Sequence, residues 1–151
     1  MRKGANTAVL AFDFGEKRIG VAVGDTAVGI AHPLTTIDAA GKQRRFAAIA
    51  ALLEEWRPAQ LVVGLPAHLD GTEHEMSRLA RKFARELFTR FGLPVELVDE
   101  RLTSVAAEAS LAAAGVAPRR RKLHIDQVAS QEILQDYFDT AMRVAHRTGG
   151  A

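Results

Sequence analysis

Three carboxylates stand where a chain of this kind could do chemistry on phosphates. Asp13 closes an apolar run and opens the turn Phe14-Gly15-Glu16-Lys17, Glu100 follows a second apolar run, and Asp126 precedes the last helical stretch. Burying an ionised carboxylate is costly unless something compensates it, and a metal ion or a phosphate–metal complex is one such compensator. Hard oxygen ligands suit Mg2+ or Mn2+, which keep several waters and share coordination with substrate phosphates. If the three acids converge, the natural chemistry is phosphodiester hydrolysis. In a two-metal site, with ions roughly 3.5–4 Å apart, one ion readies the attacking water and both stabilise the charge on phosphate and leaving oxygen. Each acid also has a plain structural reading. Asp13 could bond the backbone of its own turn, Glu100 could pair with Arg101 or Arg18 at the surface, and Asp126 could cap its helix. Spacing alone leaves both readings open.

The elements that must position these acids can be read from the order of apolar residues. Thr7 to Asp13 and Arg18 to Asp25 are β-rich runs joined by a turn containing Gly15, and Gly29 to Ile37 supplies a third antiparallel strand. Lys42 to Trp56 has helical spacing, with Phe46, Ile49, Leu53 and Trp56 on one face. Gln60 to Gly64 is a continuous apolar run suited to a strand buried on both faces, closed by Leu65-Pro66. Thr72 and Glu75 fit a capping box, after which Met76, Leu79, Ala80, Phe83, Leu87 and Phe91 trace a helix ending before Gly92 and Pro94. Val95 to Val98 reads as another buried strand that runs into Asp99 and Glu100. Pleat alternation sends those two side chains to opposite faces, so one of them reaches a given site. Thr103 or Ser104 can cap an Ala-rich helix, and Leu134, Tyr137, Phe138, Ala141 and Ala145 mark the last one. A meander followed by alternating strands and helices predicts an α/β fold with a mixed sheet covered by helices, where polar strand ends are the usual place for chemistry.

The chain's 151 residues suffice for one domain with a sizeable core, so residues 1–151 are expected to form a single unit with tails at 1–6 and 146–151. No apolar stretch approaches the length of a membrane span, and Asp13, Glu16, Lys17 and Arg18 interrupt the first apolar run before a signal-peptide core can form. The absence of cysteine excludes disulfides, thiolate metal sites and Cys nucleophiles, and fits a reducing compartment. His32, His68, His74, His124 and His146 show no metal-ligand spacing. The net charge of +2 is too small to decide for or against nucleic acid, so the distribution of charge matters more than its total.

Four motifs in order carry a resemblance: Asp13-Phe14-Gly15-Glu16-Lys17-Arg18-Ile19-Gly20-Val21, Val63-Gly64-Leu65-Pro66 with Asp70-Gly71-Thr72, Asp99-Glu100-Arg101-Leu102-Thr103-Ser104, and Ile125-Asp126-Gln127-Val128-Ala129. From about Ala8 to Phe138 the chain resembles the YqgF family, also called RuvX, of Holliday-junction resolvases and pre-16S ribosomal RNA nucleases with a ribonuclease H-like fold. The resemblance implies that Asp13, Glu100 and Asp126 are the catalytic metal ligands, with Mg2+ or Mn2+ as cofactor. It implies maturation of the 5′ end of 16S ribosomal RNA in the bacterial cytoplasm, on precursor RNA or ribosomal particles. The family commonly has Ala-Ala where this chain has Ala129-Ser130, and serine is small enough that no function should be lost.

Basic residues near the acids are candidates for holding the phosphate backbone. Lys17 and Arg18 adjoin Asp13, Arg101 adjoins Glu100, and Thr103 can either cap a helix or bond a phosphate. Arg119, Arg120, Arg121 and Lys122 form the sharpest charge cluster and lead into Asp126, which favours phosphate contact with salt-dependent binding. The aromatics Phe46, Trp56, Phe83, Phe88, Phe91, Tyr137 and Phe138 read as core and not as base-stacking platforms. Three other functions compete with the RNA nuclease. A resolvase of four-way DNA junctions would use the same acids in a dimer. An ATPase of the actin and sugar-kinase type would need two lobes, and a non-catalytic ribosome-assembly factor has little use for three acids beside phosphates.

Overall fold

The computed structural model describes residues 7–66, 75–100 and 127–141. Within them the three expected β-runs form an antiparallel meander of β1 (Ala8–Asp13), β2 (Arg18–Asp25) and β3 (Ile30–Asp38). The turn between β1 and β2 needs Gly15, because a Cβ there would lie 2.5 Å from the carbonyl oxygen of Arg18. After β3 come α1 (Lys42–Trp56), β4 (Gln60–Pro66), α2 (Glu75–Phe91) and β5 (Val95–Glu100), and residues 127–141 form a further helix, α3. The strand order is β3-β2-β1-β4-β5, with β4 parallel to β1 and β5 parallel to β4. α2 stops where Gly92 takes a φ of +70°, a conformation that glycine adopts without a Cβ penalty. Among the described residues no helix is long and apolar enough to cross a membrane.

Side-chain alternation along the strands divides the core into two layers. Leu10 and Phe12 of β1, Ile19 and Val21 of β2, and Leu61 and Val63 of β4 point to one face, where they meet Phe46 and Ile49 of α1 and Phe83 and Leu87 of α2. Val9, Ala11, Ala22, Ala31 and Val62 point to the other, under Ile133, Leu134 and Phe138 of α3. Gly24 belongs to this second face. A Cβ on it would sit 2.5 Å from Phe138 Cε2 and 2.8 Å from the Ile30 carbonyl oxygen, so glycine lets the helix lie close to the sheet.

Two sequence expectations need correction. Val95 to Val98, expected as a buried strand, is half-buried at Val95 and Val98 and exposed at Glu96 and Leu97. β5 is an edge among the described residues and leaves Leu97 37% exposed, because nothing described pairs with its outer side. Of the aromatics expected in the core, Phe46, Phe83 and Phe138 are buried, but Phe88 is 59% and Trp56 36% exposed. Phe88 follows Leu87 and lies beside the core stripe of α2, against the groove shared with Leu97, while Trp56 is the last residue of α1.

Candidate functional site

The C-terminal ends of β1, β3, β4 and β5 gather at one end of the sheet, since these four strands run in the same direction. Asp13 is the last residue of β1 and is half-buried. It has the parity of Val9 and Ala11, which places it on the α3 face of the sheet. Glu100 is the last residue of β5, and its backbone position shares a pleat with Val98, which packs on the α3 side, while Asp99 takes the opposite pleat. The strands of Asp13 and Glu100 are not neighbours, because β4 runs between them. Phe12 pairs with Val63 and Pro66 with Glu100, so Asp13 stands level with Gly64, two rungs short of Glu100. With strands about 4.8 Å apart and a rise of about 3.3 Å per residue, the two backbone positions are about 12 Å apart.

A row of residues crosses the sheet from Asp13 to the start of α3. Asp13 pairs with Gly20, and Gly20 pairs with Thr36. The register of β2 and β3 shifts between Val21 and Ala22, which pair with Thr35 and Pro33 and leave Leu34 out of the ladder. Such a bulge exchanges the faces of the residues beyond it, so Thr36 lies on the same side as Ala31. There its Oγ1 accepts a hydrogen bond of 3.2 Å from Gln127 Nε2, at the first turn of α3. Two more glutamines, each one turn further along, continue the attachment. Gln131 Nε2 donates to the Ala31 carbonyl at 3.1 Å, Gln135 Nε2 donates to the Gly29 carbonyl at 2.9 Å, and the Ala31 amide donates to Gln135 Oε1 at 3.0 Å. The outer edge of β3 is thereby occupied by side-chain amides, and the helix is fixed along its own axis relative to the strand. Ser130, fully buried, donates its hydroxyl to the Gln127 carbonyl at 2.9 Å, which satisfies its polar atom.

Lys17 is exposed in the β1–β2 turn and Arg18 is half-buried at the start of β2. Arg101, Thr103, Arg119, Arg120, Arg121, Lys122 and Asp126 lie outside the described residues, as does Thr72 of the expected capping box. Among the described residues no three His, Cys, Asp or Glu side chains gather as a metal-binding group. Sequence reasoning gave no role to Thr36, Gln131 or Gln135. The signal was the recurrence of Gln127, Gln131 and Gln135 at every fourth position, a polar stripe beside the apolar one. Burial and then the charge of Asp136 raise the Glu132 carboxyl, burial and then Glu96 raise Tyr137, and hydrogen bonds from the Thr7 side chain and then the Ala27 amide lower Asp25.

Comparison with known proteins adds four likenesses. The family model described as RuvX, Holliday junction resolvase, matches residues 7–140. A protein of Methylobacillus flagellatus is 61% identical over 131 residues, 87% of this chain and 90% of its own length. One of Chromobacterium violaceum is 64% identical over 131 residues, 86% of this chain and 96% of its own. Both are provisionally named pre-16S rRNA nucleases. Among solved structures, Thermus thermophilus RuvC in complex with a Holliday junction substrate aligns over 90% of this chain and 96% of that one, with 19% identity and a TM-score of 0.51. At that identity the likeness speaks for the fold, which is ribonuclease H-like.

Proposed function

The chain belongs to the RuvX family, and from that premise we propose that it is a metal-dependent nuclease that hydrolyses phosphodiester bonds during maturation of the 5′ end of 16S ribosomal RNA. The observation that carries the reading is the position of Asp13: half-buried, at the C-terminal end of a central strand, on the same face and at the same end as position 100 and the start of α3. Asp126 is the residue before Gln127, so the clamp between Gln127 and Thr36 supports assigning the third carboxylate to this end of the sheet. Asp13, Glu100 and Asp126 are the proposed metal ligands, and an all-carboxylate donor set fits Mg2+ or Mn2+ in preference to softer ions. When bound, such ions supply charge for the phosphate and acidity for the attacking water. Lys17, Arg18, Arg101, Thr103, Arg119, Arg120, Arg121 and Lys122 are the proposed contacts to the backbone of precursor ribosomal RNA, free or in a particle. The lack of cysteine supports a cytoplasmic location.

The test is Mg2+-dependent cleavage of a labelled RNA spanning the 5′ end of 16S. Metal-ligand loss removes several kcal/mol of charge stabilisation, so Asp13→Asn and Glu100→Gln should each lower the rate by about 100-fold or more. Wild-type rates in both variants would remove these residues from the site. The family description favours a second reading, resolution of four-way DNA junctions, which requires two suitably spaced sites. Junction DNA and RNA assayed side by side, with molecular mass measured in solution, separate the two.

A further inference from the structure

The opposite face of the sheet carries a cationic surface that begins one residue from Asp13. Phe14 is buried, and the guanidinium of Arg45 lies over its ring at 5.4 Å. Arg45 donates to the Ala39 carbonyl at 3.2 Å, and Ala39 in turn donates its amide to Lys17 at 2.9 Å, so the first turn of α1 is tied to the β1–β2 turn. Between α1 and α2 a recess of about 220 Å³ is lined by Phe14, Glu16, Lys42, Arg45, Lys82 and Glu86. Lys42 is paired with Glu86 at 2.6 Å, while Arg45 Nε is buried with no hydrogen-bond partner among the described residues. Lys82, which lines this recess, and Lys17, in the adjoining turn, are exposed.

This arrangement works against the stability of α1. Its first turn holds Lys42, Arg44 and Arg45 and no acid, its last turn holds Glu54 and Glu55 and no base, and no side chain caps its N-terminus. Cations at the positive end of a helix are unfavourable by about 0.3–1 kcal/mol each. Lys42 and Arg45 stay at that end while α2 adds Lys82 beside them, three cations to the two acids Glu16 and Glu86, and the net positive charge of the recess suits a polyanion.

We infer that the phosphodiester backbone flanking the segment held at Asp13 crosses the β1–β2 turn and lies against Lys42, Arg45 and Lys82. The substrate would then wrap the end of the sheet, with its reacting phosphate on the α3 face and its flank on the α1–α2 face. This rests on the nuclease reading, but the two fail separately.

The experiment measures equilibrium binding in EDTA across a NaCl series, with two probes: the RNA spanning the 5′ end of 16S and a four-way DNA junction. Each lost single-strand phosphate contact lowers the salt slope by about 0.7. The variant Lys82→Gln should therefore lower the slope by about 0.7 for single-stranded flanks, with affinity reduced about threefold at low salt. Arg57→Gln, at the far end of α1, should leave both unchanged. Since Lys82 is exposed, the melting temperature of the variant should hold, which separates lost contact from lost fold. A reduced slope with RNA, with the junction, or with both supports the surface and identifies its ligand. An unchanged slope with both probes, or an equal loss in Arg57→Gln, overturns it. Failure of the nuclease reading would appear elsewhere, as bound RNA that wild type does not cleave with Mg2+.

Discussion

The two faces of the sheet are held by different forces. Against α1 and α2 the contacts are large and apolar, with the ring of Phe83 4.9 Å from Phe14, 5.9 Å from Phe12 and 6.1 Å from Phe46. Against α3 the sheet offers Ala11, Ala22, Ala31 and Gly24, and the helix is tied down by glutamine amides along β3. Apolar burial is non-directional and scales with area, so the first face supplies stability without fixing how far a helix slides. Hydrogen bonds have distances and angles to satisfy, so the second face fixes position. Asp13 lies on the second face, where position matters more than area.

The largest effect that would sharpen this contrast belongs to the first face. Phe83 is 1% exposed, and truncating a buried Phe leaves a cavity that costs about 3–5 kcal/mol. Phe83→Ala should lower the unfolding free energy measured in urea by that amount while the folded fraction keeps Mg2+-dependent cleavage. A shift below about 1 kcal/mol, by contrast, would mean that stability does not reside on this face.

A smaller effect is expected where α3 meets β3. Gln131→Leu with Gln135→Leu keeps the volume and removes the bonds to Ala31 and Gly29. The groups left unpaired lie at an edge that water can partly reach, so the loss should be near the lower end of the range for orphaned polar groups, about 1–2 kcal/mol. Position should suffer more than stability: the Ala31 amide should lose its protection from hydrogen exchange, and cleavage should fall further than the folded fraction does. Protection at Ala31 equal to wild type would break the comparison, because the helix would then be seated by its apolar contacts alone.

The same contrast accounts for what could be read from the sequence. Apolar periodicity marked β2 and α1 at their observed limits, Arg18–Asp25 and Lys42–Trp56, because one-sided burial imposes a repeat on every residue of an element. Asp13 could be picked out because a carboxylate ending an apolar run breaks that repeat. Directional contacts leave a weaker trace. Nothing local in Thr36 or Gln135 announces a partner about a hundred residues away, and the bulge at Leu34 that turns Thr36 toward α3 depends on pairing with β2. The edge position of β5 was likewise illegible, since a strand's neighbours are set by topology and not by its own composition.

The smallest effect concerns charge on α3 itself. Burial, and then the charge of Asp136 one turn away, holds the Glu132 carboxyl above its ordinary value. For an acid raised in the folded state, the native chain binds the proton more tightly than the unfolded one. The group's contribution is therefore most favourable below the ordinary value of 4.5 and is lost as pH rises through the folded value. At pH 7 the ionised side chain opposes the helix. Glu132 is exposed, so solvent screens most of this, and relief of a like-charge pair one turn apart is worth about 0.2–0.5 kcal/mol. Glu132→Gln should accordingly raise the melting temperature by one or two degrees at pH 7, roughly as such an energy implies for a chain of this size, and by nothing at pH 4. A gain at neutral pH alone means α3 is seated by its glutamines against its own charge; an equal gain at both pH values would assign the difference to packing and return α3 to the logic of the other face.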